Sequence, residues 1–134
     1  DINGGTVDGV TIGGASAGAG TFTTLADQYG SSRILPSIGA AKSGSYTLEV
    51  GDVGQYVSLT TGGSITIPDA TFADGDLITL LNETSGTITI TCSITTAYIA
   101  GSNTDESTAT IDIRGVCNVL FISGTICYLT GNVY

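Results

Sequence analysis

Histidine, tryptophan and methionine are absent from this 134-residue chain, and lysine and arginine together number three. Each shortage removes a class of function. Without histidine, a serine or cysteine nucleophile has no ordinary base. Without tryptophan, and with six scattered tyrosines, nothing reads as a sugar-stacking platform beside a carboxylate pair. Three basic residues against twelve acidic ones leave a net charge of -9. Such a surface repels phosphate, so nucleic acid and anionic membranes are poor partners. Long helices need Ala, Leu, Glu, Lys and Arg in bulk, and that composition is missing. The uncharged stretches 9–26 and 116–134 are broken by Gly, Ser, Thr and Asn, so neither is a continuous membrane-spanning run.

Cysteine is scarce and odd in number. Cys92, Cys117 and Cys127 lack CxxC spacing, which supports neither a disulfide framework nor a zinc site. A hairpin turning at Ser123-Gly124 would set Cys127 opposite Leu120 rather than Cys117, and all three read as small core hydrophobes. The chain opens without an initiator methionine or a signal peptide, which reads as a processed chain or a fragment.

What is abundant is β-forming. Thr and Ser number 35, Ile and Val are frequent, and glycine numbers 20, with ten in residues 1–44. Residues 1–44 carry too few large apolar side chains to offset the cost of ordering, on the order of 1–2 kcal/mol per residue, in an independent core. They read as a glycine-rich extended arm or shaft ordered by partners, with Lys42-Ser43-Gly44-Ser45 as a short linker. Residues 45–134 read as a single β domain. Strands are expected at 46–50, 55–60, 64–67, 76–82, 87–92, 97–100, 108–113, 116–122 and 126–130. Gly62-Gly63 predicts a hairpin joining the second and third, and Glu83-Thr84-Ser85-Gly86 another joining the fourth and fifth. In Thr87-Ile88-Thr89-Ile90-Thr91 strict alternation puts the isoleucines on one face and the threonines on the other. The fold class is all-β, an antiparallel, jelly-roll-like β-sandwich.

Motifs that would carry chemistry are weak. Gly14-Ala15-Ser16-Ala17-Gly18 has the spacing of a nucleophile elbow but no base to serve it. Gly18-Ala19-Gly20 lacks the third glycine and the helix of a dinucleotide site. Asp69, Asp74 and Asp76 surround Gly75, and Asp105-Glu106 occupy another loop; their spacing fits no calcium loop and reads as turn chemistry. Arg114 lies two positions from Asp112, on the same face of a strand, and reads as half of a local or inter-subunit ion pair. Asn82-Glu83-Thr84 fits the N-glycosylation pattern. No catalytic, cofactor or metal residue is assigned, and no binding residue can be named.

The run Ile2-Asn3-Gly4-Gly5-Thr6-Val7-Asp8-Gly9-Val10-Thr11-Ile12-Gly13-Gly14, followed by Ala19-Gly20-Thr21-Phe22-Thr23-Thr24-Leu25, resembles a segment recurring in virion proteins of tailed bacteriophages, notably fibres. The stretches Gly75-Asp76-Leu77-Ile78-Thr79-Leu80-Leu81-Asn82-Glu83-Thr84, Tyr98-Ile99-Ala100-Gly101 and Arg114-Gly115, with the closing hairpin, are similar to a small C-terminal β-domain of marine and cyanobacterial phage proteins. This resemblance implies a homotrimeric, non-catalytic virion protein on the particle surface. Its arm would meet other virion proteins, and its head, in a tail fibre or head fibre, would meet a host-surface glycan. A capsid decoration or cement protein is the alternative within this class. A free carbohydrate-binding module, monomeric with a disordered arm, is the alternative outside it.

Overall fold

A computed structural model describes residues 41–134 together with three strand pieces before them. Two compact units divide the chain, Asp1–Arg33 and Ile34–Tyr134. In the first, β1 (Ala26–Asp27) and β2 (Gly30–Ser31) pair antiparallel. The glycine-rich opening, with its elbow-like and dinucleotide-like motifs, lies outside the described residues.

The second unit holds β3 (Ser37–Ile38), β4 (Tyr46–Thr47), β5 (Gln55–Leu59), β6 (Ser64–Ile67), β7 (Leu77–Asn82), β8 (Ile88–Cys92), β9 (Thr96–Ile99), β10 (Thr108–Ile111), β11 (Val116–Ser123) and β12 (Ile126–Gly131). Among its described residues it is all-β apart from one 3-10 turn at Val50–Asp52. One sheet has the order β10-β8-β6-β4, the other β3-β5-β7-β11-β12-β9. The inward residues of both form one core, including Val57, Ile78, Leu80, Cys117, Val119, Phe121 and Leu129 from the six-stranded sheet and Ile65, Ile67, Ile88, Ile90 and Ile111 from the four-stranded one. Phe72 stacks on Phe121 with ring centroids 4.1 Å apart. Two sheets over one core meet the sandwich expectation.

The winding does not. The two expected hairpins are absent: β5 and β6 lie in different sheets, as do β7 and β8. From β3 to β11 every successive strand changes sheet, and the same-sheet neighbours β3–β5, β4–β6, β5–β7 and β6–β8 run parallel. Five of the eight ladders in this unit are parallel, so the sheets are mixed and the antiparallel, jelly-roll-like plan is corrected. The physical reason is one of scale. Packed sheets stand about 10 Å apart and paired strands about 4.8 Å. A four-residue connection such as 60–63 reaches roughly 13 Å, enough for either journey. Turn residues therefore announce that the chain bends without saying in which plane. The choice falls to burial: Val57, Ser58 and Leu59 are all buried, which suits an interior strand.

Smaller differences also have local causes. The strand expected at 46–50 ends at Thr47, because Asp52 accepts a hydrogen bond from the Glu49 amide at 2.8 Å and caps the 3-10 turn. Residues 42–45 are not a free linker. The Lys42 amide donates to the Ser58 carbonyl, the Thr60 amide to the Lys42 carbonyl, and the Ser64 amide to the Ser45 hydroxyl. The β11–β12 hairpin forms as expected, but Cys127 faces Phe121 instead of Leu120. An irregularity between Phe121 and Ser123 leaves Ile122 unpaired and shifts the register by one.

Candidate functional site

Asp69, Asp76 and Asp105, singled out from sequence, are occupied in building turns. Asp69 accepts from the Thr95 amide at 2.9 Å and from its hydroxyl at 3.1 Å, tying the 68–76 loop to the entry of β9. Asp76 accepts from the Ala73 amide at 2.8 Å, across a turn whose Gly75 has a φ of +88°. Asp105 accepts from the Ala97 amide at 2.9 Å along the edge of β9. Among the described residues, no three His, Cys, Asp or Glu side chains gather as a metal-binding group would require.

Arg114 is not on a strand. β10 ends at Ile111, and residues 112–115 form a turn closed by the Gly115 amide on the Asp112 carbonyl at 2.9 Å. Arg114 takes the third position with a φ of +55°, and the Asp112 carboxylate accepts from the Ile113 amide at 2.7 Å. The shared strand face expected for the two residues is therefore replaced by a turn.

Asn82 is fully buried at the end of β7. Its amide nitrogen donates to the Gly86 and Asp112 carbonyls at 2.7 and 2.9 Å; its oxygen accepts from the Thr84 amide and hydroxyl at 2.9 and 2.7 Å. One side chain thus joins the β7–β8 connection to the β10–β11 turn. A glycan has no access to it in the folded domain.

The three thiols are free and buried. Burial is the first cause that pushes Cys92 up to about 11 and Cys117 and Cys127 up to about 12, with Glu106 and Asp105 adding to it at Cys92. Burial, then the hydrogen bond to Asp52, also pushes Tyr46 up to about 12. Because thiolate is the reactive form, all three cysteines are expected to resist a water-soluble maleimide or disulfide reagent in the native protein and to react promptly in denaturant. In the same way, these groups ionise more readily in the unfolded chain, whose ordinary values are about 8.5 for Cys and 10 for Tyr. Their stabilising contribution is complete below those values and is lost as pH rises toward 11–12. Urea midpoints measured from pH 8 to 11 should fall progressively.

What remains is a surface. Side chains alternate along strands, so the outward residues of each sheet can be read off the register. On the four-stranded sheet they are hydroxyls, in rows Thr108–Thr91–Thr66 and Thr110–Thr89–Ser64. On the six-stranded sheet, Leu77, Leu120, Tyr128 and Tyr98 make one row across four strands. Val116 and Leu81 stand opposite each other nearer the far end, and Ile122 lies beside the hairpin turn. Leu77, Val116, Leu120, Ile122 and Tyr128 are each between 36% and 43% exposed. The Tyr98 and Tyr128 rings are 5.4 Å apart, and Thr79 donates to the Asn118 side-chain oxygen at 2.8 Å. None of the residues of β7, β9, β11 or β12 is charged. Residue-by-residue reading missed this face, although Leu-Ile-Thr-Leu-Leu in β7 and Val-Leu-Phe-Ile in β11 are apolar on both sides, the pattern of strands covered on both faces.

No protein family, curated protein or solved structure shows significant similarity to this chain.

Proposed function

We propose that the chain is a structural protein of a tailed-phage virion, a homotrimeric tail-fibre or head-fibre component whose glycine-rich arm meets other virion proteins. The observation that carries this reading is the uncharged, apolar-rich outer face of the six-stranded sheet. An apolar-rich surface of this kind on an otherwise acidic domain supports a role in binding another surface, as a subunit of an assembly would. The resemblance of residues 2–14 and 19–25 to phage fibre segments supplies the class of assembly. The engagement of Asp69, Asp76, Asp105 and Asn82 in turns supports a mechanical role, since each stabilises a connection. Labelling intact particles with an antibody against residues 41–134, viewed by electron microscopy, tests the reading. Label on fibres is the expected result. Label spread over the capsid faces would assign a decoration role instead, and unlabelled particles would overturn the virion assignment.

A further inference from the structure

We propose that residues 132–134 are a releasable strap over the outer edge of β10, and that this edge pairs with the same edge of a second copy once the strap lifts. The inference does not depend on the virion reading, because it concerns a guard built into the fold of the second unit.

β10 is an edge strand of the four-stranded sheet, with β8 on its inner side. An open edge offers main-chain donors and acceptors to any strand that reaches it. Here the chain covers that edge itself. β12 runs in the other sheet as far as Gly131, where a φ of +125° turns the backbone across the sandwich. The Asn132 carbonyl then accepts the Asp112 amide at 3.0 Å, and the Thr110 amide donates to the Tyr134 carbonyl at 2.8 Å. The Tyr134 amide donates back to the Thr110 carbonyl at 3.1 Å, and Val133 stands opposite Ile111 in an antiparallel bridge. Three residues thus satisfy main-chain groups that point away from β8.

The strap is lightly held. Val133 is partly buried against the core, whereas Tyr134 is 66% exposed and Gly131 and Asn132 are exposed. A few main-chain hydrogen bonds and one packed side chain are the profile of a segment that opens without global unfolding. Gly131 supplies the hinge. The β9 edge of the other sheet is guarded differently. There the Asp105 carboxylate accepts the Ala97 amide at 2.9 Å and the Glu106 amide donates to the Ala97 carbonyl at 2.8 Å, in a connection held at both ends by β9 and β10. Lifting the strap frees the Thr110 amide and carbonyl together, on every copy. Two such edges related by a two-fold axis run antiparallel and exchange both hydrogen bonds at Thr110, so the freed edge is its own complement.

The test uses the full chain. Amide hydrogen exchange on the parent comes first. The Thr110, Asp112 and Tyr134 amides are expected to be protected, yet to exchange about tenfold or more faster than the amide of Val119 in the central strand β11. Tyr134→Pro removes the amide that donates to Thr110, and Val133→Gly removes the strap's packed side chain. Tyr134→Ala keeps the amide and loses only the exposed ring, so it is the control. Far-UV circular dichroism and a thermal melt verify that each variant folds. In sedimentation Tyr134→Pro and Val133→Gly should exceed the parent mass increasingly with concentration, while Tyr134→Ala keeps the parent mass. Adding Thr110→Pro, a change that an edge strand tolerates, removes the outward donor and should return the mass to that of the parent. Strap amides as slow as that of Val119, or with no protection at all, would overturn the releasable strap. Folded release variants that keep the parent mass at every concentration would overturn the pairing, and a raised mass that survives Thr110→Pro would overturn the β10 edge as its site.

Discussion

Gly131→Ala is expected to be the most damaging single-methyl change in the domain, costing roughly 3–5 kcal/mol. Gly131 closes β12 with a φ of +125°, a region that residues with a Cβ rarely enter. An added Cβ would lie 2.3 Å from the Val116 carbonyl oxygen and 3.3 Å from the Cys117 Cα. Neither atom can retreat cheaply. The Val116 carbonyl accepts the Asn132 amide at 2.8 Å, and Cys117 is fully buried opposite Gly131 in the hairpin. The strain therefore reaches the central strand β11, which pairs with both β7 and β12. For a domain of about this size each kcal/mol is worth about 4–8 °C, so the melting temperature should drop by roughly 15 °C or more. Gly51→Ala is the control, because an added Cβ there meets nothing within 4 Å. Its melting temperature should stay close to that of the parent.

Asn82→Ala should cost a comparable amount, about 3–5 kcal/mol, through unmet hydrogen bonds instead of overlap. Truncation takes the side-chain donor from the Asp112 and Gly86 carbonyls and the acceptor from the Thr84 amide. In the parent no buried side-chain polar atom among the described residues lacks a partner, so the loss has no reserve to draw on. Asn82→Asp separates this account from simple loss of packing. It keeps the shape and the acceptor for Thr84 but turns a buried carboxylate toward two carbonyl oxygens. Burial and those oxygens raise the pKa of the new carboxyl in the folded state. Its stability is therefore highest below the ordinary carboxyl value of about 3.9 and is lost as pH rises above it. Urea midpoints of Asn82→Asp relative to the parent should improve on acidification, whereas the Asn82→Ala deficit should not change.

These two positions also show what the sequence makes legible. The alternation in Thr87-Ile88-Thr89-Ile90-Thr91 announces a strand with a buried isoleucine face, and Ile88 and Ile90 are indeed almost fully covered. Ser123-Gly124 announces the β11–β12 hairpin, which forms. Local pattern is enough for such features, since a strand's period and a turn's residues are encoded within a few positions. Gly62-Gly63 is equally local, yet it marks a passage between sheets, because the plane of the bend depends on which strands the core will cover. Arg114 at positive φ has no signal in its own identity and follows from the turn that Gly115 closes. Asn82 reads as a glycosylation site by pattern and is a buried hub by position, because three residues cannot convey burial. The apolar outer face is legible only when both sides of β7 and β11 are compared across the register, which needs the strand order first.

The central claim is that this chain works as one member of a homotrimeric assembly. Light scattering coupled to size exclusion, on the full chain at micromolar concentration, tests it most directly. The account predicts a single species of three times the 13.4 kDa chain mass. A species of 13.4 kDa that persists as concentration rises would contradict it.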